Sequence, residues 1–223
     1  CDTELLAFLL DNYDLRCIEK IDSMHAFAYY NKDQGTITLS RDHAGIKPLF
    51  YAETSEGLIF GSEVKGMLDR VPNARCIDDL AAAAMSYSGL NVTRNTMFCN
   101  IKKVLPGETL VYSIHHKKFI QNHRTTITPQ SNGLLDHEEF RHEAHQTVKM
   151  CTLGIRKFGM FLSGGLDSTL VAYELKKILG ELDSFTNEMN PNVIIGATNW
   201  NITGNYHYLF NGFTSVFSKN SCV

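Results

Sequence analysis

The chain has 223 residues, of which 43% are hydrophobic and 20% are charged, so it can form the packed core of one large domain or two small ones. The formal net charge of −3 and the sequence pI near 6.3 argue against sequence-independent nucleic-acid binding, and no nucleic-acid partner is expected. The apolar runs are far shorter than a membrane span, and the opening residues do not resemble a signal peptide. We therefore expect a cytoplasmic protein with no membrane partner, whose six cysteines are reduced.

The first 125 residues switch between helical and strand patterns. Leu5, Leu6, Leu9 and Leu10 recur at helical spacing and predict an opening helix over residues 3–21. Polar turns between short apolar runs predict three hairpins, and two more helices are expected between the second and the third. The hairpin strands are predicted over residues 26–30 and 36–39, 49–52 and 58–60, and 109–114 and 117–121, and the two helices over residues 62–70 and 78–87.

A helical face near residue 140 carries ionisable side chains. Glu138, His142 and His145 recur at i, i+4 and i+7, but the pattern is not the H-E-x-x-H motif of zinc enzymes. The opposite face carries Phe140, Ala144, Thr147 and Cys151. We expect this second face to pack on the core and the histidines to face water, with no metal bound.

A strand, a glycine turn and a helix follow one another in the second half of the chain. The apolar run over residues 158–162 predicts a buried parallel strand, and a helix is predicted over residues 170–179. Gly164 and Gly165 have no Cβ, so the backbone can turn sharply and let a ligand approach. The candidate N-caps of the helix are Asp167, Ser168 and Thr169. A glycine turn at a helix start favours binding of a phosphate group, although the Walker A and G-x-G-x-x-G patterns are absent.

The run Ser-Gly-Gly-Leu-Asp-Ser at residues 163–168 resembles the PP-loop of ATP pyrophosphatases, which split ATP into AMP and pyrophosphate. Backbone amides and the two serine hydroxyls would hold the pyrophosphate, so that charge developing in the transition state meets preset donors. The resemblance implies ATP contacts from Leu162 through its backbone, Ser163, Gly164, Gly165, Asp167, Ser168 and Asn187. Asn187 ends the next strand, predicted over residues 183–187, and Asp167 would hold Mg2+ or cap the helix.

Five segments of the first half resemble the class II glutamine amidotransferase domain of asparagine synthases. They are residues 2–4 (Asp-Thr-Glu), 24–30 (Met-His-Ala-Phe-Ala-Tyr-Tyr), 41–51 (Arg-Asp-His-Ala-Gly-Ile-Lys-Pro-Leu-Phe-Tyr), 62–65 (Ser-Glu-Val-Lys) and 104–107 (Val-Leu-Pro-Gly). The PP-loop-like run falls where that family's synthetase domain begins. The resemblance implies an α+β Ntn-hydrolase-like (αββα) domain, incomplete at its N-terminus, over residues 1–130. The start of an α/β, Rossmann-like PP-loop domain would cover residues 134–200, and residues 201–223 would be a divergent tail with no predicted element.

The resemblance implies a ligase that works in two steps. The first domain would release ammonia from glutamine, and the second would use Mg-ATP to adenylate the side-chain carboxylate of aspartate before ammonia displaces AMP. Asp2 matches the family aspartate that holds the α-amino group of glutamine. Arg41 and Asp42 match scaffold positions that we expect to form an internal ion pair. Glutamine, aspartate and ATP would be the small-molecule partners, and the resemblance allows a homodimer.

The chain departs from the family pattern at its start. The family nucleophile is an N-terminal cysteine followed by glycine, whereas Cys1 precedes residues that match an internal segment. We therefore expect no catalytic residue here and a chain that is the middle of a larger enzyme, in which neither half-reaction runs well alone. Two alternatives stay open: another PP-loop amide ligase, of the β-lactam synthetase type with an inert amidotransferase half, and a non-catalytic remnant that binds a nucleotide or a partner.

Overall fold

The computed structural model describes residues 1–13, 15–91, 93–125, 136–154, 159–163, 165–188 and 214–216. The chain divides into two compact units, Cys1–Gln130 and Ser131–Val223. Both combine helices with sheets, so the predicted mixture of α and β structure is confirmed. The assignment of residues 1–130 and 134–200 to two catalytic domains stays a prediction. In the described ranges, no helix is both long enough and apolar enough to cross a membrane.

The first unit holds two antiparallel sheets, one with strand order β1-β2-β6-β7 and one with order β4-β3-β5. Its strands are β1 (Ala26–Asn31), β2 (Thr36–Arg41), β3 (Phe50–Glu53), β4 (Leu58–Gly61), β5 (Lys102–Lys103), β6 (Glu108–Ser113) and β7 (Lys118–Arg124). The predicted hairpins β1–β2, β3–β4 and β6–β7 are therefore confirmed, because each pairs antiparallel across a short polar turn.

One buried cluster of the first unit lies between the two sheets, and a second is formed by Ala52, Met67, Val71, Ala74 and Ile101. Leu39 of β2 and Leu110 of β6 are register partners and pack with Tyr51 of β3. Leu49 and Val104, on the segments that flank β3 and β5, complete the same cluster. Alternation along the strands points these side chains to one face.

The helices of the first unit are α1 (Asp2–Asn12) and α2 (Asp79–Ser88), with 3₁₀ turns at Leu15–Lys20 and Val64–Gly66. The single helix predicted over residues 3–21 is therefore wrong at its second half. The Asn12 side chain donates to the carbonyl of Phe8, and Tyr13 is extended, so the helix ends there. The helix predicted over residues 62–70 is likewise reduced to one 3₁₀ turn followed by further turns.

The second unit contains the strand–turn–helix predicted from the sequence, but the strand is not buried as predicted, because Phe161 is 83% exposed. Its elements are α3 (His137–Cys151), β8 (Gly159–Phe161), α4 (Leu166–Leu179), β9 (Asp183–Glu188) and β10 (Thr214–Val216). Strands β8 and β9 are parallel, with α4 as the connection between them, and β10 adds to β9 in the antiparallel direction. Strand β10 lies in the tail for which no element was predicted, because a three-residue strand is defined by its pairing rather than by its pattern.

Helix α3 turns a different face to the core from the one predicted. Phe140 and Cys151 are exposed, whereas Val148 packs against the buried cluster of the second unit. The face that carries His145 is the one turned towards α4, because His145 Nδ1 lies 2.7 Å from Glu174 Oε2. The orientation of α3 therefore depends on its contact with a buried carboxylate on α4. The residue pattern of α3 alone does not indicate this contact.

Glu174 joins α3 to α4 through charged hydrogen bonds. Besides its contact with His145, it accepts a hydrogen bond from Lys177 Nζ at 3.1 Å, and its side chain is 5% exposed. Burial by itself would raise the pKa of Glu174. The hydrogen bonds from His145 and Lys177 outweigh that effect, and the net pKa of the carboxyl lies below its ordinary value.

We expect Glu174→Gln to lower the free energy of unfolding of the second unit by about 1–3 kcal/mol at pH 7, because the charge-assisted bonds are lost inside the unit. A carboxylate whose pKa is lowered by folding stabilises the fold above its ordinary pKa of 4.5, and this contribution disappears as the pH falls through the folded-state pKa. When the pH is lowered below 4.5, the variant should therefore lose less stability than the parent. Hydrogen exchange of α4 amides, measured across this pH range, tests both statements.

The matched control is Glu138→Gln, which removes a carboxylate from α3 that pairs with Arg141 where both side chains are more than 70% exposed. This change should alter stability by less than about 0.5 kcal/mol. An equal effect of the two substitutions would contradict the role given to Glu174.

Candidate functional site

The turn between β8 and α4 is closed by hydrogen bonds of its own serines. Ser163 Oγ and Ser168 Oγ lie 3.0 Å apart, and Ser163 Oγ also accepts from the backbone N–H of Gly165 at 3.3 Å. Ser168 Oγ donates to the carbonyl of Gly165 at 3.1 Å. Five residues apart in sequence, the two hydroxyls are thus gathered on one side of the turn.

Helix α4 begins earlier than predicted. Its N-cap is Gly165, and the backbone N–H of Thr169 already donates to the Gly165 carbonyl. Asp167, Ser168 and Thr169 are therefore not N-caps, because they lie inside the first turn of the helix. The exposed carboxylate of Asp167 lies there at the positive end of the helix dipole, which stabilises negative charge.

The other predicted ATP contacts fall into three groups. Leu162 is buried in the cluster formed with Ala172, Leu175 and Leu182, and its expected backbone contact with ATP stays a prediction. Gly164 lies outside the described residues. Asn187 belongs to β9, where its backbone pairs with Ser215 of β10, and its side chain is outside the described part.

The loop after β2 is held by two side chains that bond to backbone rather than to each other. Arg41 donates to the carbonyls of Lys47, Val104 and Gly45 at 2.6–2.8 Å. Asp42 accepts from the N–H groups of Ile46 and Lys47 at 2.9 and 3.0 Å. The predicted Arg41–Asp42 ion pair is thus wrong, because each charged side chain hydrogen-bonds to backbone groups instead. The residue pattern does not reveal these backbone partners.

Asp42 is 2% exposed and stays charged inside the loop. Burial would raise the pKa of Asp42, but the N–H groups of Lys47 and Ile46 outweigh burial and hold the pKa below its usual range. Gly45 has a φ of +66°, and a Cβ there would lie 2.8 Å from Pro106 Cγ. The loop therefore requires glycine at this position.

A groove of about 800 Å³ in the first unit brings Asp2 together with this loop. Asp2 lies in the first turn of α1, and Lys47 and Pro48 line the same groove from the loop after β2. Met24 and Ser62, both in segments that resemble the amidotransferase domain, also line it. The sequence placed these residues in a family pattern without indicating that they share one groove.

A smaller cavity of about 290 Å³ is lined by several polar groups that the sequence did not single out. Ser40 Oγ lies 2.9 Å from Thr109 Oγ1 and 3.4 Å from His25 Nε2. Burial lowers the pKa of His25, although the negative charge of Asp42 opposes this effect. His25 is therefore a neutral hydrogen-bonding group at neutral pH.

No group of three or more histidine, cysteine or acidic side chains in the described ranges is arranged to hold a metal ion. This statement includes Glu138, His142 and His145, of which His145 is engaged by Glu174.

Comparison with known proteins gives two family matches in the predicted order. Residues 1–124 match the glutamine amidotransferase domain, and residues 139–193 match asparagine synthase. Among similar proteins, asparagine synthetase [glutamine-hydrolyzing] 2 of Bacillus subtilis is 27% identical over 191 residues, which is 77% of this chain. A Methanocaldococcus jannaschii protein, provisionally named a glutamine-hydrolysing asparagine synthetase, is 26% identical over 83% of the chain.

A third relative carries a different name, Amidase chyE of Penicillium rubens, which is 24% identical over 85% of the chain. The aligned region makes up 37% of the Methanocaldococcus jannaschii protein, 25% of the Bacillus subtilis protein and 28% of the amidase, so the chain spans about a quarter to somewhat over a third of these relatives. The resemblance predicted from the sequence is confirmed. This chain belongs to the glutamine-hydrolysing asparagine synthetase family, with a glutamine amidotransferase domain followed by the start of an asparagine synthase domain.

Proposed function

We propose that the protein containing this chain makes asparagine from aspartate, ATP and glutamine, through a β-aspartyl-AMP intermediate. Family membership supports the overall reaction. The chain spans about a quarter to somewhat over a third of its relatives, so the complete reaction is a property of the full-length protein. The observation that supports the ATP step is the serine-lined turn between strand β8 and the start of helix α4.

ATP would bind at this turn with its phosphates against Ser163, Ser168 and the first N–H groups of α4. Helix N-termini and glycine turns present donors that attract phosphate oxygens. The 3.0 Å separation of the two hydroxyls allows both to reach one phosphate group from the same side. Preset donors stabilise the charge that builds on pyrophosphate as it leaves, since they do not have to reorganise during the reaction.

Asp167 suits a magnesium ion in its donor type, because Mg2+ binds in proteins through one or two carboxylates together with phosphate oxygens and water. The carboxylate is exposed at the end of α4 that faces the phosphate donors. In the absence of metal it would repel the phosphates of ATP. A bound Mg2+ would remove this repulsion and neutralise part of the phosphate charge.

Glutamine would bind in the groove lined by Asp2 and Lys47. The carboxylate of Asp2 suits an α-amino group, and Lys47 lines the same groove. A zwitterionic amino acid therefore finds both signs of charge there. The αββα Ntn-hydrolase architecture, with an amidotransferase nucleophile outside these residues, belongs to the same proposal.

A second candidate is another amide-forming or amide-cleaving reaction, which the likeness to Amidase chyE supports. Product identity separates the two candidates. Asparagine formed from aspartate in the presence of glutamine and Mg-ATP favours the first. Turnover of a different amide with no asparagine formed favours the second.

We expect Mg-ATP to raise the melting temperature of the full chain. Ligand that binds only the folded state adds about 2.7 kcal/mol at 100 times its Kd, which is roughly 5–10 °C for a chain of this size. Ser168→Ala should remove most of this shift, because it deletes one of the two hydroxyls that face the phosphate. Differential scanning fluorimetry with and without Mg-ATP measures it.

The matched control is Thr152→Ala, which deletes a hydroxyl that donates to the Lys149 carbonyl at the end of α3 in the same unit. This variant should keep the whole ATP-dependent shift. A parent protein whose melting temperature does not change at millimolar Mg-ATP would overturn the nucleotide site.

A further inference from the structure

Residues 76–78 and 97–99, which precede and follow α2, run antiparallel beside each other. Ile77 pairs with Phe98 as an isolated antiparallel bridge. On one side of it, the N–H of Asp78 donates to the carbonyl of Met97 at 3.0 Å. On the other side, the N–H of Cys99 donates to the carbonyl of Cys76, also at 3.0 Å. Two cysteines therefore lie directly opposite each other in this short antiparallel pair.

Their position suits a disulfide bond. Opposed residues of a hydrogen-bonded antiparallel pair have Cα atoms about 5.5 Å apart, within the range of about 4.4–6.8 Å that disulfides span. Opposed residues also point their side chains to the same face of the ladder. Both thiols are free in the structure, Cys76 being exposed and Cys99 half-buried.

The electrostatics of Cys99 agree with two adjacent thiols. Burial raises the pKa of Cys99, and the neighbouring Cys76 adds to this effect, followed by Asp78 and Asp79. A raised pKa keeps the Cys99 thiol protonated, so Cys99 is not the first of the two thiols to react. Cys76, the more exposed of the two, is the thiol that meets a dissolved oxidant.

We infer that Cys76 and Cys99 are a thiol pair that a small-molecule disulfide such as glutathione disulfide converts into an intramolecular disulfide. The Cys76 thiolate attacks one sulfur of glutathione disulfide and releases one glutathione. The Cys99 thiol then loses its proton and attacks the Cys76 sulfur, which releases the second glutathione. The two protein thiols lose two electrons and two protons, and the S–S bond of the oxidant is reduced to two thiols.

The disulfide would link the two segments that precede and follow α2. Asp78 already joins them, because its carboxylate accepts from the N–H of Ala81 at 2.8 Å and from Asn95 Nδ2 at 3.0 Å. This site is independent of the ATP turn and of the glutamine groove.

The test is oxidation of the reduced full chain with glutathione disulfide, followed by alkylation of the remaining thiols and peptide mapping by mass spectrometry. We expect a cross-linked peptide that contains Cys76 and Cys99 and is lost on treatment with dithiothreitol. Closing a loop of this length should raise the melting temperature by about 5–10 °C. Cys76→Ser and Cys99→Ser should each abolish both the cross-link and the thermal gain.

Cys151→Ser is the matched control, because Cys151 is an exposed thiol at the end of α3 in the other unit. It should keep the Cys76–Cys99 cross-link and its thermal gain. Recovery of Cys76 only as a glutathione adduct, or cross-links from it to other cysteines in equal yield, would overturn the inference. A thermal gain retained in Cys76→Ser would overturn it as well, and this exposed substitution leaves the core unchanged.

Discussion

Asp167→Asn in the full-length protein is expected to slow pyrophosphate release by at least about 100-fold, a loss typical of removing one group that stabilises transition-state charge. Glutamine hydrolysis should stay within about twofold of the parent, because the groove that contains Asp2 belongs to the other unit. The amide keeps the size of the side chain but removes the negative charge proposed to bind Mg2+. Parallel assays of pyrophosphate and of glutamate formed from glutamine measure the two activities.

Glu181→Gln supplies the control for the Asp167 variant. Glu181 is an exposed carboxylate just beyond the other end of α4, so its replacement makes the same change of charge away from the turn. Both activities should be unaffected by it. Equal losses of pyrophosphate release and glutamine hydrolysis in Asp167→Asn would contradict the division of labour between the two units.

Arg94→Met should lower the free energy of unfolding of the first unit by about 3–5 kcal/mol, because it leaves a buried carboxylate without its partner. Arg94 makes two hydrogen bonds to Glu108, at 2.7 and 2.6 Å, and the Glu108 side chain is 1% exposed. The Glu108 hydrogen bond is also the main cause that raises the pKa of Arg94. Urea unfolding followed by circular dichroism measures the loss.

A double variant separates this pair from simple loss of packing. Arg94→Met combined with Glu108→Gln should be more stable than Arg94→Met alone, since the uncompensated charge is gone. The glutamine carbonyl can still accept from the N–H of Leu105, which Glu108 does at 2.8 Å. If the double variant is as unstable as the sum of the two single changes, the buried pair is not the cause.

Arg75→Met is the control for the effect of burying the ion pair. Arg75 and Asp69 also form an ion pair, at 2.7 Å, but both side chains are mostly exposed. Water solvates each charge when the other is removed, so the expected loss is below about 1 kcal/mol. A loss as large as that of Arg94→Met would show that burial does not govern these pairs.

Features that depend on neighbouring residues were predictable from the amino-acid sequence. The hairpin of β1 and β2 follows from alternating side chains on either side of a polar turn, and the strand–turn–helix from β8 to α4 follows from an apolar run, glycines and a helical pattern. Both are local, so chain order is sufficient. The family was likewise predictable, because the motifs that carry it are short and occur in a specific order.

Contacts between residues far apart in the sequence became visible with the folded structure. The face that α3 turns to the core depends on Glu174, which lies 29 residues beyond His145. The position of Cys76 opposite Cys99 depends on how the chain returns after α2. The backbone partners of Arg41 include the carbonyl of Val104, 63 residues away. A pattern of residue types cannot specify such partners, because the free energy of burying a charge or joining two thiols depends on which groups folding brings within bonding distance.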